Sequence, residues 1–205
     1  PLNYSEIMKG NAMTYNLSGR VALVTGATRH NGIGAAVCKA LAGAGANIAF
    51  TSFAEYVTTM YKADASDPQR LVEELRDMGV SAVEIPWDLE DASRLPKLLD
   101  RVEEELGQLS ILVNNAAYST RDGWETLDAE QLDRHYAVNA RATALLSVEF
   151  CRRFEGESGG RIINFSSGQH LGAMSEELAY AMSKAAIVTF TQSLSPAVMG
   201  RGITV

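Results

Sequence analysis

Between Arg20 and Ala42 the chain passes from a short apolar run into a glycine-rich turn and out into an alanine-rich segment, an order few folds accept. Arg20-Val21-Ala22-Leu23-Val24 has the unbroken apolarity of a strand covered on both faces, as in a parallel sheet. Thr25-Gly26-Ala27-Thr28-Arg29-His30-Asn31-Gly32-Ile33-Gly34 follows, then a helix from Ala35 to about Ala42. Glycines at such a junction permit a tight turn, close helix–strand packing and close approach of backbone to a pyrophosphate. The next helix turns free N–H groups and a partial positive charge toward that phosphate. Alone, such a pattern is usually a structural turn; its place between a first strand and a first helix gives it weight. No Gly-Lys-Ser/Thr follows, which argues against an NTPase phosphate loop.

The rest of the chain alternates in the same way. Strands are predicted at 20–25, 47–52, 81–86, 110–114, 161–166 and 202–205, and helices at 33–44, 67–78, 91–106, 128–153 and 176–199. Alternation of this kind implies an α/β, doubly wound parallel sheet in three layers, with right-handed crossovers and strand order 3-2-1-4-5-6. One domain over 17–205 and an N-terminal extension over 1–16 account for the sequence. Phe53 to Asp67 is predicted as a loop, longer than the usual two to six residues of a βα connection.

Tyr180 and Lys184 stand four apart in Tyr-Ala-Met-Ser-Lys, inside the last predicted helix, and so share one face of it. A phenol with a pKa of about 10 is a poor base near neutrality, but a neighbouring ammonium favours its ionised form. Ser167, at the end of Arg-Ile-Ile-Asn-Phe-Ser-Ser, can place a hydroxyl beside the same reacting oxygen. Taken alone, Tyr-x-x-x-Lys reads as an ordinary surface pair; the upstream glycine turn is what gives it chemical meaning.

Composition narrows the field. Of 205 residues, 46% are apolar and the net charge is −7, which argues against a nucleic-acid surface. Cys38 and Cys151 have no metal-ligand spacing and read as reduced core thiols. No apolar run is long enough to span a membrane, and 1–16 lacks the apolar core of a signal peptide, so a cytoplasmic location is expected.

Taken in order, these segments resemble the short-chain dehydrogenase/reductase family of Rossmann-fold NAD(P)-dependent oxidoreductases. The matching motifs are Thr25-Gly26-x5-Gly32-Ile33-Gly34, Trp87-Asp88-Leu89, Asn114-Asn115-Ala116-Ala117, Asn139, Ser167, and Tyr180 with Lys184. Gly-Gly-Arg-Ile-Ile-Asn and the final Arg-Gly-Ile-Thr-Val look most like the 3-oxoacyl-[acyl-carrier-protein] reductase branch. There are three departures. The glycine loop is two residues longer than the family's, Ala117 replaces a glycine, and the chain stops at Val205, inside the sixth strand. The resemblance therefore implies a C-terminally truncated member of a family whose chains run to roughly 250 residues, a normal size for one such domain.

The resemblance also assigns roles. Hydride would pass between nicotinamide and a carbonyl or secondary alcohol, 3-oxoacyl thioesters and carrier-protein-linked substrates among them. Tyr180 would transfer the proton, Ser167 bond the substrate oxygen, Lys184 lower the phenol pKa and bond the ribose, and Asn139 hold a relay water. Strand alternation lets only one of Ser166 and Ser167 point into the site, and the family spacing to Tyr180 selects Ser167. Gly26, Thr28, Arg29, Asn31, Gly32, Ile33 and Gly34 would cradle the phosphates. Asp88 and Leu89 would meet adenine, and Asn114, Asn115 and Ala116 the ribose and nicotinamide side. Tyr118, Gln169, His170 and Met174 are candidates for the substrate pocket.

Cofactor choice rests on the tip of the second strand. No acid stands there; Thr51 and Ser52 can donate to a 2′-phosphate and Arg29 can pair with it, which favours NADP(H). Glu55 dissents, so NAD(H) stays possible. The resemblance further implies a homotetramer or homodimer paired through helices 128–153 and 176–199. Alternatives from other classes are a dinucleotide-binding regulator that has lost catalysis, an S-adenosylmethionine methyltransferase, an epimerase or dehydratase, and an NAD-dependent sugar or alcohol dehydrogenase.

Overall fold

The structure, a computed structural model, describes residues 15–62 and 64–205; all of the expected extension except Tyr15 and Asn16 lies outside the described residues. Six strands form one sheet: β1 Val21–Val24, β2 Asn47–Ser52, β3 Ala82–Pro86, β4 Ile111–Asn114, β5 Gly160–Asn164 and β6 Ile203–Thr204. Their order is β3-β2-β1-β4-β5-β6 and every pairing is parallel, as the alternation implied. Helices cover both faces. They are α1 Ile33–Gly43, α2 Ala54–Tyr61, α3 Asp67–Asp77, α4 Leu95–Leu106, α5 Ala129–His135, α6 Thr143–Arg153 and α7 Leu178–Val198.

Successive side chains of a strand point to opposite faces, and β1 divides its four residues accordingly. Val21 and Leu23 enter a core with Leu98, Leu99, Leu112 and Phe150, beneath α4 and α6. Ala22 and Val24 enter a second core with Cys38, Phe50, Leu71 and Leu75, beneath α1 and α3. All four β1 residues are buried, which is why the run carries no polar alternation. Full burial of each Leu or Phe in these cores stabilises the fold by roughly 1.5–3 kcal/mol.

Three expectations are corrected. The segment after β2 is not a loop: it forms α2, which stops at Lys62 in the left-handed region (φ 51°). Its sequence is rich in β-branched residues, and tertiary contacts hold it, with Val57 buried and the Tyr56 hydroxyl bonded to both N–H and C=O of Ser119 at 3.0 Å. The helix expected over 128–153 is interrupted by a π-helical stretch, Tyr136–Ala142, between α5 and α6. Finally, β5 ends at Asn164, so Ser167 lies beyond the strand and opens a 3₁₀ turn, Gly168–His170. Among the described residues no helix is long and apolar enough to cross a membrane.

Candidate active site

The C-terminal ends of β1 to β5 frame a cavity of about 250 Å³. The glycine loop forms its floor and is fastened on all sides. The Gly26 N–H donates to Thr51 Oγ1 (3.0 Å), and the Thr28 hydroxyl accepts from Phe53 N–H (2.9 Å). Thr25 Oγ1 accepts from the N–H groups of Asn115 and Ala116, both 3.1 Å. The Asn115 amide returns two bonds, to Thr25 O (2.9 Å) and Gly26 O (3.0 Å). Asn115 therefore lines the cavity mainly as the strut that sets the loop's shape.

The cradle is filled by backbone. A Cβ at Gly26 would stand 2.6 Å from Ala116 Cα, and one at Gly34 would stand 2.7 Å from Gly26 O. Gly26 also has φ +73°, which side-chain-bearing residues rarely adopt. A glycine-walled cradle running into the N-terminus of α1 fits a dinucleotide's pyrophosphate. Of the residues assigned to the cofactor, Thr28, Arg29, Gly32, Ile33, Ser52, Asp88, Leu89 and Ala116 stand on the cavity wall. Asn31 does not: its amide oxygen lies 3.3 Å from His30 Nδ1, outside the cavity. Asn114 also turns away, bonding Ser147 and Asn164 across the sheet (3.1 and 2.8 Å).

The two extra loop residues have a purpose that spacing did not reveal. His30 Nε2 lies 2.6 Å from Glu74 of α3, the His30 backbone N–H donates to Asp67 (3.1 Å), and Lys39 of α1 reaches Glu74 at 2.7 Å. The lengthened loop is thus clasped to two helices. Lys39, then His30, hold the Glu74 carboxyl below the usual range.

At the other end of the cavity stand Tyr180 and Lys184, both from α7. The Lys184 ammonium is buried, lies 5.8 Å from the Tyr180 ring centre and donates to Phe165 O (2.9 Å). Among the described residues no carboxylate pairs with it, and burial pushes its pKa down to about 8. Two of its three N–H donors remain for a bound molecule. The first turn of α7 is capped from a distance: Asp122, buried, accepts from Leu178 N–H (2.5 Å) and Ala179 N–H (3.3 Å). That cap fixes the axis on which Tyr180 and Lys184 ride, and the sequence offered no signal for it.

Asn139 sits in the π-helical stretch, fully buried. Its oxygen accepts from Tyr118 N–H (2.7 Å), and its amide donates to Tyr118 O and to Ser183 Oγ, both 2.9 Å. With both N–H groups committed, it braces α7 against the segment after β4; a water could meet its side chain only at the remaining oxygen lone pair. Ser166, rather than Ser167, lines the cavity, and the Gln169 amide donates to the Ser166 hydroxyl (3.2 Å), so Gln169 too stands behind the wall. Tyr118 does face the cavity, stacked edge-on to His135 (4.8 Å) beneath the Arg134 guanidinium (4.6 Å). His170 and Met174 are not on the wall.

The tip of β2 differs from what the sequence suggested. The Ser52 hydroxyl donates to Glu84 Oε1 of β3 at 2.5 Å. No acid occupies the tip itself, yet one stands a single hydrogen bond behind it.

Comparisons with known proteins place the chain among its relatives. The short chain dehydrogenase family profile matches residues 20–205. "Uncharacterized oxidoreductase YjdA" of Bacillus subtilis is 43% identical over 188 residues, covering 91% of this chain and 72% of that one. "Versicolorin reductase stcU" of Emericella nidulans is 33% identical, covering 88% and 64%. A short chain dehydrogenase from Burkholderia cenocepacia, solved in complex with NADP, superposes with TM-score 0.82 at 35% identity, covering 93% and 73%. The chain thus spans between 64 and 73% of the length of these three proteins.

Proposed function

The chain belongs to the short chain dehydrogenase family, and on that premise we propose that it is an NADP(H)-preferring reductase of ketones and dehydrogenase of the matching secondary alcohols. Its relatives are oxidoreductases, which supports chemistry at a CH–OH/C=O centre. The observation that carries the reading is the pairing in one cavity of a glycine-walled phosphate cradle with a tyrosine and a buried, acid-free lysine. Bound nicotinamide would supply the hydride; the residues supply placement and a proton.

Tyr180 gives its proton to the substrate oxygen in reduction and takes it back in oxidation. Lys184, while charged, stabilises the phenolate left behind and offers its two free N–H donors to the ribose hydroxyls. A serine hydroxyl steadies the oxygen as charge gathers on it; family spacing assigns this to Ser167, whereas the cavity wall holds Ser166. Asp88 and Leu89 take adenine, and Arg29 the 2′-phosphate. The NADP complex of the Burkholderia protein supports the cofactor preference by likeness. The 3-oxoacyl thioesters remain one substrate class within the proposal, self-association through the helical faces of 128–153 and 176–199 belongs to it, and so does a cytoplasmic location.

The test is steady-state oxidation of NADPH and NADH with a panel of ketones, diketones and 3-oxoacyl thioesters. Turnover of ketones with NADPH favoured carries the proposal; absence of turnover with every carbonyl despite tight dinucleotide binding would favour the regulatory reading.

A further inference from the structure

We propose that Glu84 of β3 sets how strictly the enzyme discriminates between NADP(H) and NAD(H), acting through Ser52. The inference rests on the dinucleotide reading above and concerns the ribose 2′ position at the tip of β2. An acid at that tip bonds a 2′-hydroxyl and repels a 2′-phosphate; here the tip is Ser52, on the cavity wall and only 3% exposed. Its one hydroxyl proton is already given to Glu84 Oε1.

That bond decides what Ser52 can do. A hydroxyl has one proton to donate and two lone pairs. With the proton held by Glu84, Ser52 presents lone pairs to the cavity, and these accept from the 2′-hydroxyl of NAD(H) but cannot donate to the 2′-phosphate of NADP(H). The sheet makes the arrangement rigid. β2 and β3 pair in parallel with Phe50 opposite Glu84 and Ser52 opposite Pro86, so Ser52 and Glu84 project from the same face of neighbouring strands. Arg29 attracts the phosphate from the glycine loop while the Ser52–Glu84 pair favours the hydroxyl. Glu84 is a positioning residue: it stands behind the wall and works on the cofactor through the serine.

Glu84→Gln removes the charge at nearly the same volume and supplies an amide N–H that can donate to Ser52 Oγ, which turns the Ser52 proton toward the cavity. Dissociation constants for NADP⁺ and NAD⁺, measured by titration calorimetry without any substrate, give a ratio that is unaffected by the fraction of protein that is folded. Glu84→Gln should shift that ratio toward NADP⁺ by about tenfold, the size of one hydrogen bond to a charged group. In a Ser52→Ala background the same substitution should shift it by less than about twofold, since the relay is gone. An unchanged ratio in Glu84→Gln, or an equal shift with and without Ser52, would overturn the proposal. Failure of either dinucleotide to bind the unaltered protein would overturn the reading beneath it instead.

Discussion

Replacing Lys184 by Met should make the protein more stable at neutral pH while removing its activity. Burial lowers the ammonium from 10.5 to about 8. At about 1.4 kcal/mol per pH unit, holding the proton in the folded state at pH 7 costs roughly 3 kcal/mol relative to the unfolded chain. Met has a similar reach and no charge, but it strips Phe165 O of its donor, a loss of about 1 kcal/mol or a little more. The net gain is about 2 kcal/mol, or roughly 4–8 °C in Tm for a domain of this size. The sign reverses with pH. Because the folded pKa is the lower one, the unfolded chain binds more protons between about pH 8 and 10.5, and native lysine-containing protein gains stability across that window. The advantage of Met is full below pH 8, shrinks above it, and near pH 10.5 gives way to the lost hydrogen bond alone. Urea unfolding of both proteins at pH 7, 8, 9 and 10 follows the two curves. A Met variant less stable at pH 7, or a stability difference that does not change with pH, refutes the reasoning.

Other substitutions separate the roles assigned along the cavity. Tyr180→Phe should lower kcat more than a thousandfold with dinucleotide affinity nearly unchanged; retention of a tenth of the rate, under about 1.4 kcal/mol of transition-state stabilisation, would remove it from the proton-transfer role. Of Ser166→Ala and Ser167→Ala, the one that meets the substrate oxygen should lose about 10²–10³ in kcat and the other little, so kinetics on the pair assigns the donor. Asp122→Ala should destabilise the protein by about 1–2 kcal/mol through the lost cap on α7, and Asp122→Asn, which keeps an acceptor, should restore most of that in thermal unfolding.

What was legible in the sequence is what depends on local spacing. The run Val21–Val24 and the glycines after it announce a buried parallel strand and a phosphate turn, and Tyr180 and Lys184 share a helical face by count alone. The features that escaped are joined only by the fold. His30 meets Glu74, Ser52 meets Glu84 and Asp122 meets Leu178 across 44, 32 and 56 positions. No periodicity encodes such partners. The helix α2 was hidden for a related reason: contacts to the loop after β4 hold it in place, not its own propensity. Likewise the alternation rule, which allows only one of Ser166 and Ser167 into the site, assumed that β5 runs on to them, whereas the strand stops at Asn164.

The π-helical stretch Tyr136–Ala142 carries one more implication. An α-helix advances about 100° per residue, and a π stretch holds a residue more than the same turns of α-helix would. α5 and α6 are therefore out of phase with each other by about that angle. On an unbroken α-helix His135 and Leu146, eleven positions apart, would lie within about 20° of each other, and the π stretch turns the buried residues of α6, Leu146 and Phe150, away from that line. Removing that one residue would let the segment wind regularly and leave both flanks where they stand, whereas a residue inserted or removed within α5 or α6 would turn a buried face by about 100°. The constraint on chain length therefore falls on the flanking helices, and the π stretch is the place where an extra residue is absorbed.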